Sequence, residues 1–323
     1  MKKLLQMLSR AHPILIVAAG TIAASLAFIV AFGVHLYIPN GHSTLFATEH
    51  YVAPLFASFA IAYGARCGWS LNGASVTAML KEVGKAIFIV LGYTVIVFLH
   101  FNFKLWAHLV NPVRWDEAYQ RLDDALPLLI LTIRFFHAPW DELTERWPHA
   151  YHDVFVGMFL LSLAIHAVRA KSDTVLTELA TAIALVLTIG GMSYAVAPAL
   201  GPFVFSAGFN PTATDIQLHM LAFQTRFITS GGTAFDGAEF VSALGAMPSL
   251  HTAHAFIFLY YAWKDVRWMG YLYIPAFIFI VTEAIAAKWH YFIDLPIGLA
   301  IALLSIRLAA ALTRRHVEYQ SRP

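Results

Sequence analysis

The sequence predicts an all-α membrane protein of about eight spans, and three observations lead there. Hydrophobic residues make up 59% of the 323 and charged residues 12%, about half the charge of an ordinary soluble domain. The apolar residues fall in runs long enough to cross a bilayer, separated by short charged breaks. The basic residues lie between those runs rather than in a patch, so the net charge of +2 gives no footing for nucleic acid. The single cysteine, Cys67, excludes an intrachain disulfide.

Taken in order, the apolar runs predict spans at 14–38, 50–66, 86–103, 152–168, 175–198, 248–263, 268–287 and 291–312. The first follows Lys2, Lys3 and Arg10. It is longer than a signal-peptide core and reads as a retained span. The second and sixth are short and lean on Pro-, Gly- and His-containing flanks; seven spans is the competing count. With the N-terminus cytoplasmic, only Lys104, Arg114, Arg121, Arg134, Arg146, Arg226 and Lys288 of the 21 Lys and Arg fall outside. That bias puts both termini in the cytoplasm and requires an even number of spans. A bacterial inner (plasma) membrane with the active face outward is the expected setting.

Two long outer loops follow from this layout. The segment 104–151 carries Trp106, Trp115, Trp140 and Trp147 among charges, and an apolar stretch from Leu126 to Phe136 too short to cross. Interfacial helices lying on the outer surface are expected there. The second loop, 201–245, contains Gly231, Gly232 and Gly237 and leads into the sixth span.

Ionisable residues at span ends are functional candidates because they are costly to hold near hydrocarbon. Two clusters qualify: Met247-Pro248-Ser249-Leu250-His251 and His290-Tyr291-Phe292-Ile293-Asp294. An even number of crossings puts both on the outer face. His290 and Asp294 are four apart and on a helix would share one face. A carboxylate beside an imidazole sets its tautomer and leaves the other ring nitrogen free to attack. Pro248 and Ser249 suit a helix start, whose free N–H groups hold anions. His251, in that first turn, is placed to protonate a leaving oxygen.

Pro248-Ser249-Leu250-His251, followed by His290-x-x-x-Asp294, resembles the second and third motifs of the type 2 phosphatidic acid phosphatase superfamily. The run Tyr194-Ala-Val-Ala-Pro198-Ala-Leu-Gly201-Pro202 upstream looks more like its inositol phosphorylceramide synthase branch. The resemblance covers the chain from about residue 86. It implies a six-helix catalytic core over 86–323, with 1–85 as two added spans. It implies His290 as a nucleophile forming phosphohistidine, Asp294 as its orienting partner, and His251 as general acid. Ser249 and nearby amides would hold phosphate oxygens. Gly201 and Pro202, with Pro198, would break the fifth span and shape the floor of the substrate site. No metal and no cofactor are implied.

Departures from the pattern matter. The phosphatase form has Lys and Arg in its first motif, and this chain has neither between Tyr194 and Phe203. The position six before His290, an Arg in that form, is Ala284. Lys288 and Arg226 are the substitutes the sequence offers for the missing phosphate-binding charge. The gap favours transfer of a phosphoryl or phosphoalcohol headgroup on a lipid-linked substrate, with an alcohol such as inositol as acceptor. Lipid-phosphate or polyprenyl-diphosphate phosphatase is the alternative, and a non-catalytic transporter or scaffold is the rival from another class. His254 reads as a packing residue, Glu283 as an ion-pair partner or a contact to Lys288 or substrate, and His35, His42 and His50 as interface residues. Asp215, Asp236 and Glu239 contact a headgroup or solvate a loop, and the sequence does not choose.

Overall fold

A computed structural model describes residues 11–58, 60, 76–169 and 174–320. Every regular element among them is helical. Six helices are long and apolar enough to cross a membrane. These are α1 (Pro13–Phe32), the apolar part Ile87–Val110 of α3 (Val76–Val110), α7 (Ala150–Arg169), α8 (Thr174–Ser193), α11 (Arg267–Ala286) and the stretch Asp294–Tyr319 of α12 (Asp294–Gln320). A shorter apolar helix, α10 (Leu250–Asp265), runs within the same bundle. Their outward faces carry Leu26, Val30, Phe88, Leu91, Leu161, Leu272 and Leu304 exposed. With backbone hydrogen bonds closed inside each helix, such faces suit lipid, and the chain is an integral membrane protein.

Local chemistry sets the ends. Pro13 opens α1 behind a His12 cap, and Gly33 closes it in the left-handed region at φ 66°. The first span therefore ends earlier than the apolar run, which continues to Ile38. Residues 33–40 form no regular element, and side chains of α3 satisfy backbone groups at His35 and Tyr37. Asn102 accepts from the Tyr37 N–H at 2.8 Å and donates to the Tyr37 carbonyl, while Trp106 donates to the His35 carbonyl. Buried backbone groups need such partners. Trp106 is consequently fully buried, not an outer-surface anchor. The chain then forms the short α2 (Gly41–Ala47) and a π-helical turn, Thr48–Val52. The second predicted span, 50–66, is helical as far as residue 58, and most of the rest lies outside the described residues.

Helix α8 is the central post. It packs against α12, α3, α10, α1 and α7 and is buried over most of its length. Small residues allow the close approaches: a Cβ at Gly298 of α12 would collide with the Ser249 carbonyl at the start of α10.

Between α3 and α7 lie α4 (Asp116–Asp124), α5 (Pro127–His137) and α6 (Asp141–Arg146). Helix α5 packs on α11 and presents Leu128, Leu131, Phe135 and Phe136 outward, an interfacial pattern. Its last residue, His137, is buried between carboxylates: Nε2 meets Glu283 and Nδ1 meets Asp141 at 2.8 Å. Glu283 is thus held by a hydrogen bond with His137. Helix α9 (Pro211–Thr229) fills the second long connection, opened by Pro211 behind an Asn210 cap.

Candidate active site

Both histidine motifs open onto one cavity of about 700 Å³ at one end of the bundle. Three chain segments build its base. The α8–α9 connection begins at Tyr194, the segment 238–246 leads into α10, and the α11–α12 turn carries Trp289 and His290. The α11–α12 turn is tight. The N–H groups of Trp289 and His290 both donate to the Ala284 carbonyl at 3.0 Å, with Lys288 at φ 59° between them and the helix.

His290 lies before α12, not on it. The pair with Asp294 is made by a turn rather than by a shared helix face. Asp294 Oδ2 accepts from the Tyr291 N–H at 2.9 Å and from His290 Nδ1 at 3.2 Å. The Ala246 carbonyl also accepts from His290 Nδ1, at 2.7 Å. Two acceptors on one ring nitrogen put the proton on Nδ1 and the lone pair on Nε2. His290 is 7% exposed and lines the cavity, and Asp294 behind it is fully buried.

His251, in the first turn of α10, packs its ring against Tyr151 and Phe155 of α7, at centroid separations of 4.9 and 4.6 Å. It shares the cavity wall with His290. His254 also lines it, with Nδ1 turned back to the Leu250 carbonyl.

The remaining sequence-predicted residues divide differently. Ser249 is fully buried as the cap of α10. Its hydroxyl donates to Thr252 Oγ1 at 3.0 Å and accepts from the Thr252 N–H, which turns it away from the cavity. Pro248 is buried beside it. Gly201, at φ 129°, and Pro202 sit behind the site: a Cβ on Gly201 would press on the Trp289 carbonyl. Neither Lys288 nor Arg226 lines the cavity. Arg226 pairs with Glu239 at 2.8 Å, and Lys288 acts on Asp123. The basic side chain that does line the cavity, alone in this among the described residues, is Lys104. It belongs to α3, whose C-terminal turns carry it under the Tyr194 ring, 5.7 Å from the centroid, beside Gly245. The loop expected to start at Lys104 thus begins after Val110. His42 and His50 also turn inward and line the wall, unlike His35.

Sequence reasoning missed the supports from α4. Asp116 is 2% exposed, and its Oδ1 accepts from the N–H groups of Leu200 and Gly201 at 2.9 and 3.0 Å and from the Tyr291 hydroxyl at 2.9 Å. Asp123 accepts from the Phe292 N–H at 3.1 Å. Burial, reinforced by the Asp294 carboxylate, pushes Asp123 up to about 6, against the pull of the Phe292 N–H and Lys288. Burial beside Asp294 and Asp116 likewise raises Tyr119 to about 12. One short helix thus clamps the connection after α8 and the turn that carries His290. The only advance signal was Asp116 and Asp123 spaced seven apart, which reads equally well as a solvated face.

Among the described residues no group of three or more His, Cys, Asp or Glu is arranged to hold a metal ion. Arranged as they are, an oriented imidazole, a second imidazole and an ammonium group can attack, protonate and neutralise a phosphoryl group.

Searches of curated proteins and of solved structures give no match. A family model described as the PAP2 superfamily matches residues 127–308, a stretch that runs from α5 into α12 and contains His251, His290 and Asp294. Since the match spans more than half of the 323 residues, the chain belongs to the PAP2 superfamily, a membership that supports a lipid phosphatase or phosphotransferase kind of function.

Proposed function

We propose that this protein transfers a phosphoryl or phosphoalcohol group from a lipid-linked donor through a phosphohistidine on Nε2 of His290. The observation that carries the reading is the pair of acceptors on His290 Nδ1, Ala246 carbonyl and Asp294 carboxylate. They leave Nε2 as the lone-pair nitrogen of a ring that lines the cavity. They also stabilise the positive charge that develops on the ring as its other nitrogen bonds to phosphorus.

In the first half-reaction the donor phosphorus–oxygen bond breaks and the phosphorus–Nε2 bond forms. His251 gives the departing oxygen a proton that enters with the anionic donor. Lys104 supplies the full positive charge that helix-end amides alone lack. In the second half, an acceptor oxygen attacks phosphorus, the electron pair returns to Nε2, and neutral His251 takes the acceptor's proton. An alcohol acceptor, inositol among them, gives transfer; water gives the lipid phosphatase reaction. In this reading α3, α7, α8, α10, α11 and α12 form the catalytic core, with the chain before residue 86 an addition, and the site faces the non-cytoplasmic side.

The test is to incubate purified protein with phosphate-labelled dioctanoyl phosphatidate and quench in alkaline denaturant, where phosphohistidine survives. Mass spectrometry should find phosphate on His290 in the wild type and none in His290→Ala. Phosphate on His251 instead would reverse the two roles. No covalent label with any lipid phosphate would leave the covalent mechanism without support and return the transporter or scaffold reading.

A further inference from the structure

The cavity is lined by more than the histidine motifs, and part of its wall comes from outside the stretch of chain that matches the family. Residues 127–308 match, yet His42, Phe46, His50 and Tyr51 line the same space. The segment carrying them is tied down. The Asn40 N–H donates to the Gly237 carbonyl at 3.1 Å, and the Ser43 hydroxyl donates to the Ala238 carbonyl at 2.5 Å. At this end three rings cluster: Phe46 and His50 at 4.2 Å, His50 and His152 at 4.5 Å, Phe46 and His152 at 5.5 Å between centroids.

The polar atoms of that cluster are specific. His50 Nδ1 donates to the Phe46 carbonyl at 2.9 Å, so its Nε2 is left as an acceptor. His152 Nε2 is buried with no hydrogen-bond partner, a costly state for a polar atom unless something fills it. The carboxylates lining this end are already engaged. Asp153 accepts from the Trp147 indole at 2.7 Å, and Glu239 holds Arg226. What remains free includes the His152 Nε2, the Tyr151 hydroxyl and the faces of the rings. That surface hydrogen-bonds hydroxyls and packs on carbon-bound hydrogens, and it offers no full charge to a second phosphate or to an ammonium group. His251 lines the same cavity as His152 and His290, so one imidazole borders the space that both share.

We propose that the Phe46–His50–His152 face is a second subsite, for an uncharged alcohol bearing several hydroxyls, which accepts the phosphoryl group. This rests on the phosphohistidine reading above and names its acceptor. The acceptor oxygen bonds to phosphorus, the phosphorus–Nε2 bond of His290 breaks with its electron pair returning to nitrogen, and the hydroxyl proton passes to His251.

The experiment reads a ratio internal to each sample, so incomplete folding of a variant does not distort it. Purified protein receives labelled dioctanoyl phosphatidate with glycerol, myo-inositol or glucose, and phosphoalcohol is measured against inorganic phosphate. The wild type should form phosphoalcohol with at least one probe. His50→Gln and Phe46→Leu should each lower the product ratio about tenfold or more, while His35→Gln, outside the cavity, should not. Equal ratios in all variants would overturn the subsite, as would a wild type that makes only inorganic phosphate while labelling His290. A wild type with no label on His290 overturns both the phosphohistidine reading and this one, so the two failures are distinguished.

Discussion

The Tyr291 hydroxyl donates to Oδ1 of Asp116 across 2.9 Å, joining the turn that carries His290 to a helix 175 residues earlier. The same oxygen holds the Leu200 and Gly201 N–H groups. Asp116→Ala leaves those buried donors unpaired, at about 1–3 kcal/mol each. It should lower the melting temperature and slow His290 phosphorylation together. Tyr291→Phe removes one hydrogen bond, about 1 kcal/mol, and should act in the same direction but more weakly. The check is a double-mutant cycle on both readouts; strict additivity would mean that the two residues do not act through each other.

Asp294 should matter through the tautomer. Asp294→Asn keeps the shape of the side chain but removes the charge and lets the amide compete for His290 Nδ1. Phosphoenzyme formation should fall by roughly a hundredfold to ten-thousandfold, with binding of the lipid donor changed far less. Stopped-flow or quench kinetics at saturating donor would separate the two effects.

Lys104 should be the charge that matters. Lys104→Met is expected to lower kcat/KM by about ten- to a thousandfold, as for loss of one charge-assisted contact in a partly dry site. Lys288→Met and Arg226→Met should each cost less than about tenfold on that scale, because neither side chain lines the cavity. Lys288 has a backbone role instead. At φ 59°, where a β-branched side chain is more strongly disfavoured than an unbranched one, Lys288→Val should destabilise, whereas Lys288→Gly should be tolerated. A Lys288→Met variant as damaged as Lys104→Met would contradict this assignment.

Asp123 sets a pH dependence. Its folded value, about 6, lies above the ordinary carboxylate value of 3.8 because of burial and the neighbouring Asp294. The proton bound in the folded state therefore stabilises it at low pH, and that contribution is lost as pH rises through about 6. Thermal unfolding between pH 5 and 7.5 should show a falling midpoint from this group, and Asp123→Asn should flatten that part of the slope. An unchanged slope would assign it elsewhere.

Orientation follows from the charge bias. In a Cys67→Ser background, Ala234→Cys in the exposed connection before α10 should react with an impermeant thiol reagent in intact cells. Val317→Cys near the end of α12 should not. The reverse pattern would put the cavity on the cytoplasmic side.

The helical membrane class could be read from composition and apolar run lengths alone, because a bilayer sets the length of any span that crosses it. The two histidine motifs were legible because each is local: His251 follows its cap within one turn, and His290 meets Asp294 through a turn of four residues. An even number of crossings between them was enough to bring both to one end. Span ends were less legible, since Gly33 stops α1 while the apolar run continues, and Asn102 and Trp106 hold the chain that follows. Packing alone decided which distant residues join the histidines. Lys104, Asp116 and His50 carry no local pattern that marks them, and Lys288, two residues from His290, looked the better cation. Whether a side chain on a helix or turn faces a cavity depends on what packs against its other faces. Here α8 and the 194–201 connection set those contacts, and they turn Lys104 toward the site and leave Lys288 outside it.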